Sequence, residues 1–202
     1  MASITEKNEP LGRCVGNALE IRESLEILEG APGGDLLEIT LELGAAMLEL
    51  TGSYKSRTEA RAKMSEALQS GKGRAKFFEM VSLHGGDCSA LEKPYRLPQA
   101  RIVKPLPCNM SGFVAGVDAE KIGKACLLLG AGRVVVTDKI DYAVGVSGLV
   151  KSGEQVEQGQ ALMEVHASDE KRLAEAWPVL ESAVSIAAQA PLARELFIDE
   201  VR

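Results

Sequence analysis

PLGRCVGNALEIRESLEILE, residues 10–29, is the stretch on which the reading of the chain turns. It opens as a loop: Pro10 fixes its own φ and has no N–H, and Gly12 and Gly16 open backbone angles closed to other residues. Ala18, Leu19, Ile21, Leu25, Ile27 and Leu28 then recur near the 3.6 period, with Glu20, Arg22, Glu23, Glu26 and Glu29 between them. That spacing predicts an amphipathic helix. Asn17 is placed to cap it, because its side-chain oxygen can take an orphan N–H of the first turn. By itself this is a loop feeding a helix.

Working outward, Ile4-Thr5 reads as the end of a strand. Gly30 to Gly34 breaks the first helix. Asp35 and Glu38 have capping-box spacing and predict the start of a second helix, apolar around much of its girth from Leu36 to Leu50. Ser56 and Glu59 repeat the capping signal for a third helix to about Ser70, and Arg74–Leu83 reads as a fourth. Residues 85–99, with Pro94 and Pro98, read as a linker. Beyond Ala100 the period changes. Ile102-Val103 and Gly112 to Val117 predict strands, Asp118 caps a helix over 119–129, and Gly130 to Arg133 reads as a tight turn into a further strand. Gly153 to Val165 suits two short strands joined by glycine turns. Ser168 is placed to cap a last helix interrupted by Pro178, and Leu196 to Ile198 reads as a terminal edge strand.

Composition narrows the function classes. A net charge of −6 argues against non-specific binding to nucleic acid or anionic membrane. Cys14, Cys88, Cys108 and Cys126 are scattered without a CxxC pair, which fits reduced thiols in a cytoplasmic protein. His84 and His166 stand apart from one another and from any cysteine in the sequence, so no zinc pattern is present. No apolar run reaches the roughly 20 residues needed to span a bilayer, and Met1 to Pro10 has no signal-peptide core.

The order of residues carries more than the periodicity. Pro10-Leu11-Gly12, Val15-Gly16-Asn17-Ala18-Leu19-Glu20 and Glu23 resemble the signature of the pyrimidine-nucleoside phosphorylases, a family that includes the thymidine phosphorylases. Leu128 to Arg133 and Ile140 to Gly145 resemble it further along. The resemblance covers the C-terminal portion of that family only. It implies an α+β fold: a helical part of the phosphorylase core over 1–84, a linker over 85–99, and an α+β C-terminal domain over 100–202. That domain would carry a barrel-sandwich, or hammerhead-like, motif around Gly153 to Val165.

It also implies an enzyme class, the pentosyltransferases of pyrimidine salvage. These convert a pyrimidine nucleoside and phosphate to the free base and pentose 1-phosphate. The family's phosphate- and base-binding residues lie before the Pro-Leu-Gly motif, so no residue of this chain is assigned a catalytic role. The chain alone is expected to be inactive, with the N-terminal half of the phosphorylase as its partner; intact family members are homodimers. The family's potassium ion implies a partial site here, through the carbonyls of Leu11 and Cys14 and the carboxylate of Glu23. Two alternatives stand beside this reading. One is a non-catalytic structural or interaction module of the same fold. The other is a swinging-arm carrier, in which Lys139 would be the modified lysine.

Overall fold

The computed structural model describes residues 1–202 except positions 94, 134 and 202, so Pro94 of the expected linker lies outside the described residues. The chain forms two compact units. The first comprises Met1–Ser3, Arg22–Leu97 and Asp199–Arg202; the second comprises Ile4–Ile21 and Pro98–Ile198. Chain order would group residues 1–84 together. By contact, the Pro-Leu-Gly loop and the first turns of the following helix belong with the later residues.

The first unit is helical. It holds the later turns of α1 (Asn17–Leu28), then α2 (Gly34–Leu50), α3 (Arg57–Gln69), α4 (Lys72–Leu83) and a 3-10 turn at Cys88–Leu91. Ser56 caps α3 as expected, its hydroxyl accepting from the Glu59 N–H at 3.2 Å. The Asp35–Glu38 box does not form at the start of α2. That helix begins at Gly34, with Gly33 in the cap position and no side-chain cap bond, so Asp35 falls inside the first turn. α2 and α3 are tied by Arg61 to Glu38 at 2.5 Å and by Arg57 to Glu42 at 3.0 Å. Ile39, Leu41, Ala45, Ala46 and Ala60 are buried, whereas α4 has no buried residue. A second polar cluster gathers on Glu29, which receives Lys93 at 2.6 Å, Arg74 at 3.1 Å and the Tyr95 hydroxyl at 3.1 Å. The Lys93 bond, followed by those of Arg74 and Tyr95, holds the Glu29 carboxyl below its ordinary pKa against the effect of burial.

The second unit is mixed α/β. β2 (Ile102–Pro107), β6 (Ala161–Ala167) and β4 (Gly145–Ser147) form one antiparallel sheet in the order β2-β6-β4. β5 (Gln155–Val156), β3 (Gly112–Val117) and β7 (Val184–Ala187) form another in the order β5-β3-β7. α5 (Ala119–Leu129) and α6 (Glu170–Glu181) complete the core. Val114, Ile122, Leu129, Val144, Val146, Leu149, Val165 and Leu180 are fully enclosed there. Burial of each such side chain contributes about 2 kcal/mol. A two-stranded ribbon of β1 (Ala2–Thr5) and β8 (Phe197–Val201) contains residues of both units.

The two short strands joined by glycine turns form as expected, as β5 and β6, and they belong to different sheets. Several local expectations are corrected. No strand follows Arg133 among the described residues of 135–143, where Val135 and Val136 are exposed, so the glycines end α5 and lead into a loop. Lys139 lies in this irregular segment and not at a hairpin tip. α6 is capped by Asp169, which accepts from the Arg172 N–H at 2.9 Å. The Ser168 hydroxyl is engaged instead with the Asp141 carboxylate. Pro178 sits inside α6, which ends at Glu181.

Candidate functional site

The Pro-Leu-Gly loop is fixed to the second unit by its main chain. Val15 and Val146 exchange both backbone hydrogen bonds, at 2.9 and 2.8 Å, and the Leu149 N–H donates to the Arg13 carbonyl at 3.0 Å. Residues 13–15 thus extend the β2-β6-β4 sheet by one more short antiparallel segment. Two glycines permit this approach. Gly16 has φ +143° and a Cβ there would strike the Val144 carbonyl; Gly145 has φ +145° and a Cβ there would strike the Val15 carbonyl. Each glycine leaves space that the other backbone fills.

Side chains then clamp the loop from the 149–154 turn. The Lys151 ammonium donates to the Leu11 carbonyl at 3.1 Å and to the Pro10 carbonyl. The Arg13 guanidinium donates to the Leu149 carbonyl at 3.1 Å and to both oxygens of Glu154, at 2.5 and 3.3 Å. Glu154 also accepts from the Lys151 N–H at 3.0 Å. Burial alone would push the Glu154 carboxyl up, but the Arg13 and Lys151 bonds together hold it below its ordinary pKa. These clamp residues carried no signal in the sequence beyond charged residues near a glycine turn.

At the other end of the loop, the Asn17 side chain does not cap α1. The helix begins at Asn17 itself, and its amide donates instead to the Ala131 carbonyl at 3.0 Å. The Glu20 carboxylate takes the Gly16 N–H at 3.0 Å, and the Ala18 N–H donates to the Tyr142 carbonyl at 3.0 Å. Beneath the loop, the Cys126 thiol lies 3.5 Å from the Val15 carbonyl. Burial pushes that thiol up to about 12, which makes it a packing group and not a nucleophile. N-terminal to the loop, the buried Glu9 pairs with Arg194 at 3.2 Å, and Arg194 also engages Glu6. These groups line a polar cavity of about 860 Å³ together with Asp118, Lys121 and Ser152.

The three expected potassium ligands are distributed as follows. Leu11 and Cys14 lie on this one clamped loop, half-buried, in the second unit; Glu23 lies on α1 in the residues counted with the first. Main-chain carbonyls and a carboxylate are hard oxygen donors of the kind that suit an alkali cation. A carbonyl has two lone pairs, so the Leu11 oxygen keeps one beyond its bond to Lys151. The donor types are those an alkali cation takes, with the Lys151 ammonium already on the Leu11 carbonyl. Among the described residues no group of three or more His, Cys, Asp or Glu is arranged to hold a metal through side chains. No described helix is long and apolar enough to cross a membrane.

Comparison with known proteins agrees with the loop signature. Residues 113–187 match the family model of the pyrimidine nucleoside phosphorylase C-terminal domain. The chain is 40% identical over 170 residues to the pyrimidine-nucleoside phosphorylase of Bacillus subtilis (strain 168), covering 84% of this chain and 39% of that protein. It is 38% identical over 187 residues to the pyrimidine-nucleoside phosphorylase of Staphylococcus aureus (strain USA300), covering 93% of this chain and 43% of that protein. The chain thus spans about two fifths of the length of these curated relatives. Its sequence matches the C-terminal portion of the pyrimidine-nucleoside phosphorylase family.

Proposed function

We propose that the chain acts as the C-terminal part of a pyrimidine-nucleoside phosphorylase, together with the N-terminal part of such an enzyme. The observation that carries this reading is the 40% identity over 84% of the chain to a protein named for that activity. In the reaction, a phosphate oxygen forms a bond to C1′ of the pentose as the N-glycosidic bond breaks. The pyrimidine leaves with the electron pair. Catalysis of such a step rests on positioning the two reactants and stabilising the charge that develops on the base. The groups that do this belong to the N-terminal part. This chain's contribution is to hold the Pro-Leu-Gly loop and the start of α1 in one shape. When bound, potassium would supply a structural charge at the Leu11 and Cys14 carbonyls and the Glu23 carboxylate. The working enzyme is a cytoplasmic homodimer in this reading. The two antiparallel sheets with glycine turns at Gly153 and Gly159 are compatible with a barrel-sandwich domain.

The test is release of free base from uridine and thymidine, followed by ultraviolet absorbance in phosphate and potassium. The chain alone should show no activity. The chain mixed with the N-terminal portion of the Bacillus subtilis relative should show it. Activity of the chain alone that survives repurification would overturn the placement of the reacting groups. Failure of the mixture would favour a non-catalytic module of the same fold.

A further inference from the structure

Glu6-Lys7-Asn8-Glu9 leads into the Pro-Leu-Gly loop. Among the described residues Glu9 is the one buried carboxylate, 5% exposed. Burying a carboxylate is costly unless its oxygens are hydrogen-bonded. Glu9 has such partners on one oxygen only. Its Oε2 takes the Arg194 guanidinium at 3.2 Å and the Ser152 N–H at 3.5 Å. No described residue hydrogen-bonds its Oε1, and that oxygen is not sealed in the core. It opens on the polar cavity of about 860 Å³, whose lining residues all belong to the second unit.

The other walls decide what meets that oxygen. An anion finds little to bind. Arg194 is held between Glu6 and Glu9, and the Lys121 ammonium donates to the Ser182 carbonyl at 2.9 Å. The first N–H groups of α5 are taken as well, that of Ala119 by the Asn8 carbonyl at 2.8 Å and that of Lys121 by Asp118 at 3.0 Å. A metal ion finds no cage, since no three His, Cys, Asp or Glu of the described residues are grouped to hold one. The lining carries five carboxylates against three cationic side chains. Counting Lys124, which engages Glu120 from outside the lining at 2.5 Å, the balance is still negative, and a cleft of that sign concentrates cations.

We infer that this cavity is a binding site for a small aliphatic amine. Its ammonium donates to Glu9 Oε1, and its methylene stem lies along Val117, Ala183 and Leu192 of the lining. An ammonium brings three donors to an acceptor-only carboxylate, and such charge-assisted bonds are the strong ones. The volume falls within the range of about 300–1,000 Å³ of small-molecule sites, room enough for a whole polyamine. This site lies outside phosphorolysis and does not rest on it.

The experiment is isothermal titration calorimetry of the full chain with spermidine at about 0.15 M salt, where exposed charges are screened beyond about 8 Å. Butanediol and magnesium chloride are the probes without an ammonium. Glu9→Gln removes the buried charge. Ser185→Trp fills the cavity from β7 and leaves the Glu9–Arg194 pair in place. Glu66→Gln removes an exposed carboxylate on α3. Thermal melts show whether each variant folds, and if Glu9→Gln does not, Ser185→Trp decides. The expected result is one-site binding with Kd below about 1 mM, weakened at least about tenfold by Glu9→Gln and by Ser185→Trp. Glu66→Gln should change it less than about twofold. No binding, equal binding of butanediol or magnesium, equal weakening by Glu66→Gln, or unchanged binding in Ser185→Trp would each overturn the inference. Nα-acetyllysine amide separates the sources of the ammonium. Tighter binding of spermidine assigns the site to a free polyamine, and tighter binding of the lysine derivative assigns it to a lysine side chain of a partner.

Discussion

The two units use apolar residues differently. In the second, two sheets and two helices enclose a core in which Val114, Ile122, Leu129, Val144, Leu149 and Val165 have no exposed surface. In the first, a helix of similar apolar content buries Ile39, Leu41, Ala45 and Ala46 and leaves Leu43, Met47 and Leu50 in the open, while α4 buries nothing. The difference teaches that hydrophobic content alone does not make a stable unit. Stability requires layers that close on both sides of each element.

The largest effect that could break this contrast is a cavity in the second core. Leu129→Ala should cost about 3 kcal/mol by chemical denaturation, because Leu129 is fully enclosed. Met47→Ala should fall within about 0.5 kcal/mol of the parent. Comparable losses for the two would remove the distinction. Next comes the glycine contact under the loop. Gly145→Ala combines φ +145° with a Cβ driven into the Val15 carbonyl and should cost about 2 kcal/mol. Early proteolytic cleavage between residues 10 and 16 should accompany the loss.

These examples also mark what the sequence disclosed. The four helices of the first unit, α5 with its Asp118 cap, the start of the strand at Ile102-Val103 and the strand at 112–117 followed directly from periodicity and capping chemistry. The loop signature led to the right family. Three kinds of feature did not follow. Caps were misplaced by one residue or lost where a second partner competed: the Asn17 amide donates to Ala131, and Ser168 gives way to Asp169. Val135 and Val136 have strand propensity, yet no sheet edge is offered to them, and β-propensity is a statement about available neighbours. The clamp of Lys151, Arg13 and Glu154 joins residues more than a hundred positions apart, and no local pattern encodes that.

The clamp gives the next prediction. Lys151→Met removes an ammonium from the Leu11 carbonyl, a charged hydrogen bond of about 1.5–3 kcal/mol. It should lower stability by that amount and raise amide exchange in residues 10–13 above that in β6. Equal exchange in both would show that the loop is held by its main chain alone. The smallest effect is on pH dependence in the first unit. The folded Glu29 carboxyl lies below its ordinary pKa, chiefly through Lys93. Its contribution is therefore complete above an unfolded value of about 4.3 and is lost as pH falls through the folded value. Glu29→Gln should remove that part of the acid-side slope in thermal melts between pH 7 and pH 3, about the range of carboxylate titration. An unchanged slope would show that the Lys93 and Arg74 pairs add nothing in water.

The most direct test of the contrast between the units is native-state hydrogen exchange on the chain by itself, resolved by mass spectrometry. The expected result is strong protection of β3, β6 and α5, with α2, α3 and α4 exchanging at least about a hundredfold faster, in line with their thinner burial. Protection of α2 to α4 equal to that of β6 would contradict it, because the first unit would then be as well closed as the second without any covering partner.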